Sequence, residues 1–297
     1  MTAGDIRRVK VVPMPKVTVV TDSIACLTRE LVAQYDIEVV PINFFAGGKM
    51  YRDGVDITPS EAYRLFLADP DSFKTSAASP EDCLNAFRRA SQRADNIVFA
   101  TVSVKLSAVY TSALEARELA KTELPGTAIE LVDTHLATPA EGFVVLAAAR
   151  AAAAGKSPEE VVRAAEATRD KVGCFILLDT IRHVFRSGRI PKIASQVGSI
   201  LNIRPILSVS EVIHFLTAVR SRERGIERIL ELTKGKVGKS PVHVSVFHAY
   251  APEEAGRLKE RVAAEFNCVE LWLGEFSPVM GYACGTGTVG VAFYTDD

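Results

Sequence analysis

Short β-branched runs alternate with stretches of helical period through the first half of the chain, and this alternation limits the fold more than any other feature. Residues 17–21, 37–45, 97–101 and 128–132 read as strands, and 28–35, 106–121 and 137–154 read as helices. Strands separated by helices form crossover units with parallel pairing, so the expected class is α/β, with a Rossmann-like parallel sheet first. Three helix starts are spelled out as T-P-S-E at 58–61, S-P-E-D at 79–82 and S-P-E-E at 157–160. Each supplies a cap, a first-turn proline and a carboxylate that reaches back to the cap, which is structural chemistry.

The second half is less regular. Residues 175–178, 203–209, 212–216, 242–247 and 288–294 read as strands, with helices near 193–200, 225–232 and 253–266. Ser210 and Glu211 between two apolar runs predict a tight hairpin, so this half is expected to be mixed α/β with antiparallel pairing. A length of 297 residues suits two domains. The G-K-S-P sequence at 155–158 is the expected boundary. The expected organisation is a mobile arm over 1–15, a first domain over 16–155 and a second over 156–297, with any ligand in the crevice between them.

Several functional classes are disfavoured. The formal net charge of −1 gives no basic field to attract nucleic acid. Five cysteines, an odd number with no C-x-x-C pair, argue against a disulfide framework or a zinc site. They read as buried thiols in a reducing cytoplasm, the expected location. Residues 1–15 lack the apolar stretch of a signal peptide, and the alanine-rich run at 142–155 is too short to span a bilayer. The five histidines are scattered, so no metal and no cofactor are expected. Residues 285–290 match G-x-G-x-x-G, but only residues 291–297 follow, too few for a dinucleotide fold. These glycines read as a tight turn. Residues 193–199 faintly resemble a helix-turn-helix, yet run straight into a strand with no room for a recognition helix.

What remains is a set of hydroxyls at the carboxyl ends of predicted strands. Thr21, Asp22 and Ser23 follow the first strand, Thr75 and Ser76 precede a capped helix, and Thr101, Ser103 and Ser107 follow a third strand. Open α/β sheets bind ligands at this edge, and neutral hydroxyls with helix N-terminal amides suit a single carboxylate. Any one of these hydroxyls taken alone could simply cap its helix. Asp22 reads better as a loop anchor than as an acid–base group. No nucleophile elbow, zinc-protease or P-loop motif occurs, and Ser107 has no evident base. Basic residues gather at Arg182, Arg186, Arg189 and Lys192, and again at Arg204, Arg220, Arg222, Arg224 and Arg228. Such a cluster is usually a solvated face; it could also dock an acidic partner or steer an anion.

The ordered motifs resemble the DegV family of fatty-acid-binding proteins from about Val17 to Tyr294. They are V-V-T-D-S at 19–23, Y-R-D-G-V-D-I at 51–57, K-T-S at 74–76, S-V-K-L-S-A-V-Y-T-S-A at 103–113, D-T at 179–180, S-G-R-I at 187–190, G-S-I-L-N-I-R-P-I-L at 198–207 and P-V-M-G at 278–281 with the glycines after it. The resemblance implies a two-domain, non-catalytic lipid-binding protein. It would hold a long-chain fatty acid such as palmitate and present the carboxyl group to a partner acyl kinase. It also implies that Thr75 and Ser107 hold the carboxylate, with Asp22, Ser23, Ser76, Arg189, Arg220, Ala283, Cys284 and Gly285 around it. Position 283 usually carries a histidine; alanine stands there. Ala108 likewise replaces a common glycine. Val109, Ile200, Ile203 and Leu207 lie near motif residues and are candidates for the acyl sleeve, or else ordinary core. No membrane span is implied; transient contact with a membrane surface remains open. The alternative is an enzyme acting on a small anionic metabolite at the same edge.

Overall fold

The computed structural model describes residues 17–181, 183, 187–189 and 203–296. The expected helix near 193–200, the helix-turn-helix resemblance at 193–199 and Ile200 lie outside the described residues, as do Arg182, Arg186 and Lys192.

The expected α/β class holds. A four-stranded parallel sheet has the order β2-β1-β6-β7, from β1 (Thr18–Asp22), β2 (Glu38–Val40), β6 (Asn96–Thr101) and β7 (Ala128–Asp133). Helices α1 (Arg29–Gln34), α3 (Pro80–Ser91), α4 (Val109–Glu123) and α5 (Thr138–Ala153) alternate with its strands. The strand expected over 37–45 is interrupted at Pro41, which has no N–H to give to a ladder. Beyond it the chain leaves the parallel sheet and enters a small antiparallel one. That sheet has the order β4-β3-β5, from β3 (Asn43–Ala46), β4 (Lys49–Arg52) and β5 (Lys74–Ser76), with α2 (Pro59–Ala68) between its last two strands in sequence. All three expected capping boxes form, at Thr58/Glu61, Ser79/Asp82 and Ser157/Glu160.

A six-stranded mixed sheet has the order β10-β9-β8-β13-β11-β12. Its strands are β8 (Gly173–Leu177), β9 (Arg204–Val209), β10 (Ile213–Val219), β11 (Val242–His248), β12 (Cys268–Glu275) and β13 (Val289–Thr295). All its pairings are antiparallel except β11 with β12. The hairpin expected at 210–211 joins β9 to β10, and Ser210 N donates to Val212 O at 3.1 Å. Helices α7 (Arg222–Val237) and α8 (Pro252–Glu265) pack on this sheet over a core of their own. The short helix α9 (Pro278–Cys284) precedes β13. Helix α6 (Pro158–Arg169) packs on α5, β6 and β7, so the segment after Gly155 stays with the first sheet. We therefore propose the division between the two domains at 170–172, later than the expected 155/156.

The two sheets share one continuous apolar core that runs from Val17 through Phe143 to Ile176, Leu207 and Cys284. Tyr63 of α2 is buried and its hydroxyl donates to Phe276 O at 2.9 Å. A Cβ at Gly281 would stand 2.1 Å from the Tyr63 ring, so glycine lets α9 approach α2 this closely. Among the described residues, no helix is long and apolar enough to cross a membrane.

Candidate functional site

The carboxyl ends of β1 and β6 face the antiparallel half of the molecule, and two cavities lie there. The 3-10 turn Ser23–Ala25 separates them: Ile24 lines the first, whereas Asp22, Ser23 and Ala25 line the second.

The first cavity lies between the two sheets. Its polar lining is Thr75 and Ser76 of β5, Ser107 before α4, and Ser187 and Arg189. The rest is apolar, built from Ile42, Val102, Leu106 and Ala137 on one side and Ile176, Leu207, Val209 and Ile213 on the other. Helix α9 closes it with Val279, Met280, Tyr282, Ala283 and Cys284.

Local structure decides which hydroxyls are available. Helix α3 is capped by Ser79, so Thr75 has no capping duty; it pairs with Phe44 in the small sheet. Helix α4 begins after Ala108 and has no side-chain cap, which leaves Ser107 beside its uncapped first turn. The Ser107 amide donates to Ser103 O at 3.1 Å. Arg189 donates through Nη1 to Ser187 O at 2.7 Å and through Nε to Leu106 O at 3.5 Å, which brings a guanidinium beside the Ser107 loop. Burial, and then the nearby Cys174, push the Cys284 thiol up to about 12, so it remains a neutral, weak donor.

The second cavity, about 1050 Å3, is acidic. It is lined by Asp22, Ser23, Asp53, Glu275 and Ser277, with Arg29 also on its wall. Asp22 is fully buried and accepts from Ile24 N and Val102 N, both at 2.9 Å, which makes it the anchor of two loops. Burial raises it to about 7 against those two hydrogen bonds. Burial likewise raises Asp53 to about 6, held down by the hydroxyls of Ser277 and Ser23, and its Oδ2 is left without a partner. Burial raises Glu275 as well. An anionic ligand entering this cavity would meet acidic groups.

The residues named from the sequence therefore divide. Thr75, Ser76, Ser107, Arg189, Ala283, Cys284 and Leu207 line the first cavity, and Asp22 and Ser23 face the second. Gly285 is not among the described lining residues; a Cβ there would stand 2.4 Å from the His183 ring. Arg220 is exposed and does not line the cavity; its carbonyl accepts from Arg204 Nη1 at 3.2 Å. Val109 is fully buried in the core and Ile203 packs against that core, and neither lines the cavity. Of the other arginines, Arg204 and Arg222 both pair with Asp179, and Arg228 pairs with Glu231. The glycine-rich segment leads into a strand, β13, with Gly285 and Gly287 at φ +86° and +81°; it has no following helix to bind a dinucleotide. The apolar lining from β8, β10 and α9 was missed, because in sequence it looks like any buried strand or short helix.

The family model described as "Uncharacterised protein, DegV family" matches residues 16–296. A DegV domain-containing protein of Clostridium perfringens is 32% identical over 280 residues, covering 93% of this chain and 98% of that one. Two solved structures superpose over nearly their whole length. One, a DegV family protein from Thermus thermophilus described for its fatty acid binding, has a TM-score of 0.85 at 28% identity and covers 94% of this chain and 99% of its own. The other, DegV from Bacillus subtilis, described as a fatty acid binding protein, has a TM-score of 0.84 at 25% identity and covers 95% and 99%. With the model matching nearly the full chain and the same fold in both structures, this protein belongs to the DegV family.

Proposed function

We propose that this chain binds one long-chain fatty acid in the first cavity, with its carboxylate at Thr75 and Ser107. The observation that carries this reading is the lining of one cavity, in which Thr75, Ser76, Ser107, Ser187 and Arg189 occur together with a majority of apolar side chains, the two chemistries an amphiphile requires. The binding described for the Thermus and Bacillus relatives supports it. Hydroxyl donors and the N-terminus of α4 stabilise a carboxylate without a buried counter-charge, and Arg189 adds a cation nearby. Each methylene withdrawn from water contributes about 0.8 kcal/mol, so chain length is the main lever on affinity. Ser76, Ala283 and Cys284 also line this cavity; Asp22 and Ser23 hold the adjoining loops.

In this reading the protein is a carrier that presents the carboxylate to a partner acyl kinase, which would perform the chemistry. Ala283 supplies neither charge nor donor, so orientation of the carboxylate falls to Thr75, Ser107 and Arg189. The test is to denature the purified protein, extract it with organic solvent and quantify the extract by mass spectrometry. The expected result is close to one straight-chain acid of about sixteen carbons per chain. A protein that yields no fatty acid and takes up none from a palmitate solution overturns the proposal.

A further inference from the structure

Ser103 touches no part of the cavity, yet each of its polar groups is engaged, and on different segments. Its N–H donates to Leu136 O at 2.8 Å in the loop after β7. Its carbonyl accepts from Leu106 N at 2.9 Å and Ser107 N at 3.1 Å, which fixes the loop that carries the Ser107 hydroxyl. Its Oγ accepts from Lys105 N at 3.3 Å and donates to Glu211 O at 2.8 Å, in the turn of the β9–β10 hairpin. Ser103 is completely buried, while the bond to Glu211 O is part-buried, open to solvent only from the hairpin side.

The hairpin forms one wall of the cavity. It contributes Leu207, Val209 and Ile213 to the apolar lining. Its outer strand, β10, is the edge of the six-stranded sheet, and its register against β9 shifts between Phe215 and Thr217. An edge hairpin can lift without breaking the sheet behind it. Around the Ser103 bond, the Glu211 carboxylate pairs with Lys105 and stands 3.6 Å from His135 Nδ1; Asp133 in turn stands 3.5 Å from His135 Nε2. Those outer pairs are largely exposed and individually weak. The hydrogen bond from the buried Ser103 hydroxyl is therefore the least exposed of these connections.

We propose that Ser103 is a positioning residue that couples the hairpin over the acyl sleeve to the Ser107 loop at the carboxylate end. Loosening one end loosens the other, so exit of the chain and release of the carboxylate form one event. The functional part of this inference rests on fatty-acid binding in the first cavity; the coupling itself does not.

The experiment combines hydrogen exchange on ligand-free protein with stopped-flow release of a fluorescent polyene fatty acid. In Ser103→Ala, amide exchange should accelerate in both 103–107 and 209–213, and release should speed up about tenfold, the worth of one part-buried hydrogen bond. The exposed pair supplies a second test that leaves the core intact. Lys105→Glu and Glu211→Lys should each accelerate release about two- to threefold, and the double swap should restore it. Acceleration confined to 103–107 in Ser103→Ala, with release unchanged, overturns the coupling. If Ser103→Ala does not fold, failure of the double swap to restore release overturns it instead. Should the unaltered protein bind no fatty acid while both segments still loosen together, the coupling stands and the fatty-acid reading falls.

Discussion

The two cavities flanking the turn at residues 23–25 have opposite chemistry. The first offers neutral hydroxyls, one guanidinium and an apolar sleeve; the second is lined by Asp22, Asp53 and Glu275, all raised by burial. A single backbone turn points consecutive residues into each. Volume therefore does not decide where an anion goes: the larger cavity is the acidic one. The difference is electrostatic, and exchanging charges between the walls should exchange their behaviour.

The largest effect should come from making the first cavity resemble the second. Leu106→Asp places a carboxylate beside Ser107 and beside the bound acid. Two like charges about 5 Å apart at an effective dielectric near 20 repel by about 3 kcal/mol. Fatty-acid affinity should fall on the order of a hundredfold, read by titration calorimetry. Retained affinity would mean that the carboxylate sits elsewhere.

Next come the hydroxyls. Thr75→Ala and Ser107→Ala should each cost about 1–3 kcal/mol of affinity, the range for hydrogen bonds to a charged group. Wild-type affinity in the double variant would remove both residues from the site.

The third change sharpens the comparison from the other side. Asp53 is raised from 3.8 to about 6, so between those values the native state holds more protons than the unfolded chain. Its favourable contribution is complete at low pH and is lost as pH rises through about 6. Asp53→Asn should therefore raise stability above that pH by about 1–3 kcal/mol and flatten the loss of stability on the way up. Urea unfolding at a series of pH values would show this. Fatty-acid affinity should not change, because Asp53 lines only the second cavity. Asp22→Asn should destabilise, since both Asp22 oxygens already accept backbone N–H groups and an amide NH2 cannot.

The smallest expected effect on binding is that of Ala283→His, within about twofold in affinity, because the cavity already holds its carboxylate by other donors. Its consequence should appear in acyl phosphate formation by the proposed partner kinase, measured with labelled ATP. Equal rates for both proteins would make position 283 dispensable.

Much of the parallel sheet was legible because its strands are continuous β-branched runs between helices that carry explicit caps. Pro41 divides the apolar run at 37–45, whose β-branched character reads as one strand, and the small antiparallel sheet bearing Thr75 has no comparable signal in the sequence. Strand β12 alternates Val269, Leu271 and Leu273 with Glu270, a signal present in the sequence but not taken up. Helix α9 opens with Ser277 and Pro278, the same device as the other capped helices. Thr75, Ser76 and Ser107, which line the first cavity, stood out in the sequence because hydroxyls gather at the ends of its strands. The sleeve did not, because Ile176, Val209 and Ile213 become one wall only through the pairing of β8, β9 and β10. Val109 and Ile203 each adjoin a motif residue; Val109 lies in the core and Ile203 packs against it, the second of the two readings open to them in sequence.

The most direct test locates both ends of the ligand in one experiment. Crystals grown with a fatty acid brominated at its terminal carbon would show the carboxylate in electron density and the bromine in anomalous difference density. The account predicts carboxylate oxygens within about 3 Å of the Thr75 and Ser107 hydroxyls, and the bromine among the apolar residues contributed by β8 and the β9–β10 hairpin. Carboxylate density beside Asp22 and Asp53, or a bromine peak outside the first cavity, would contradict it.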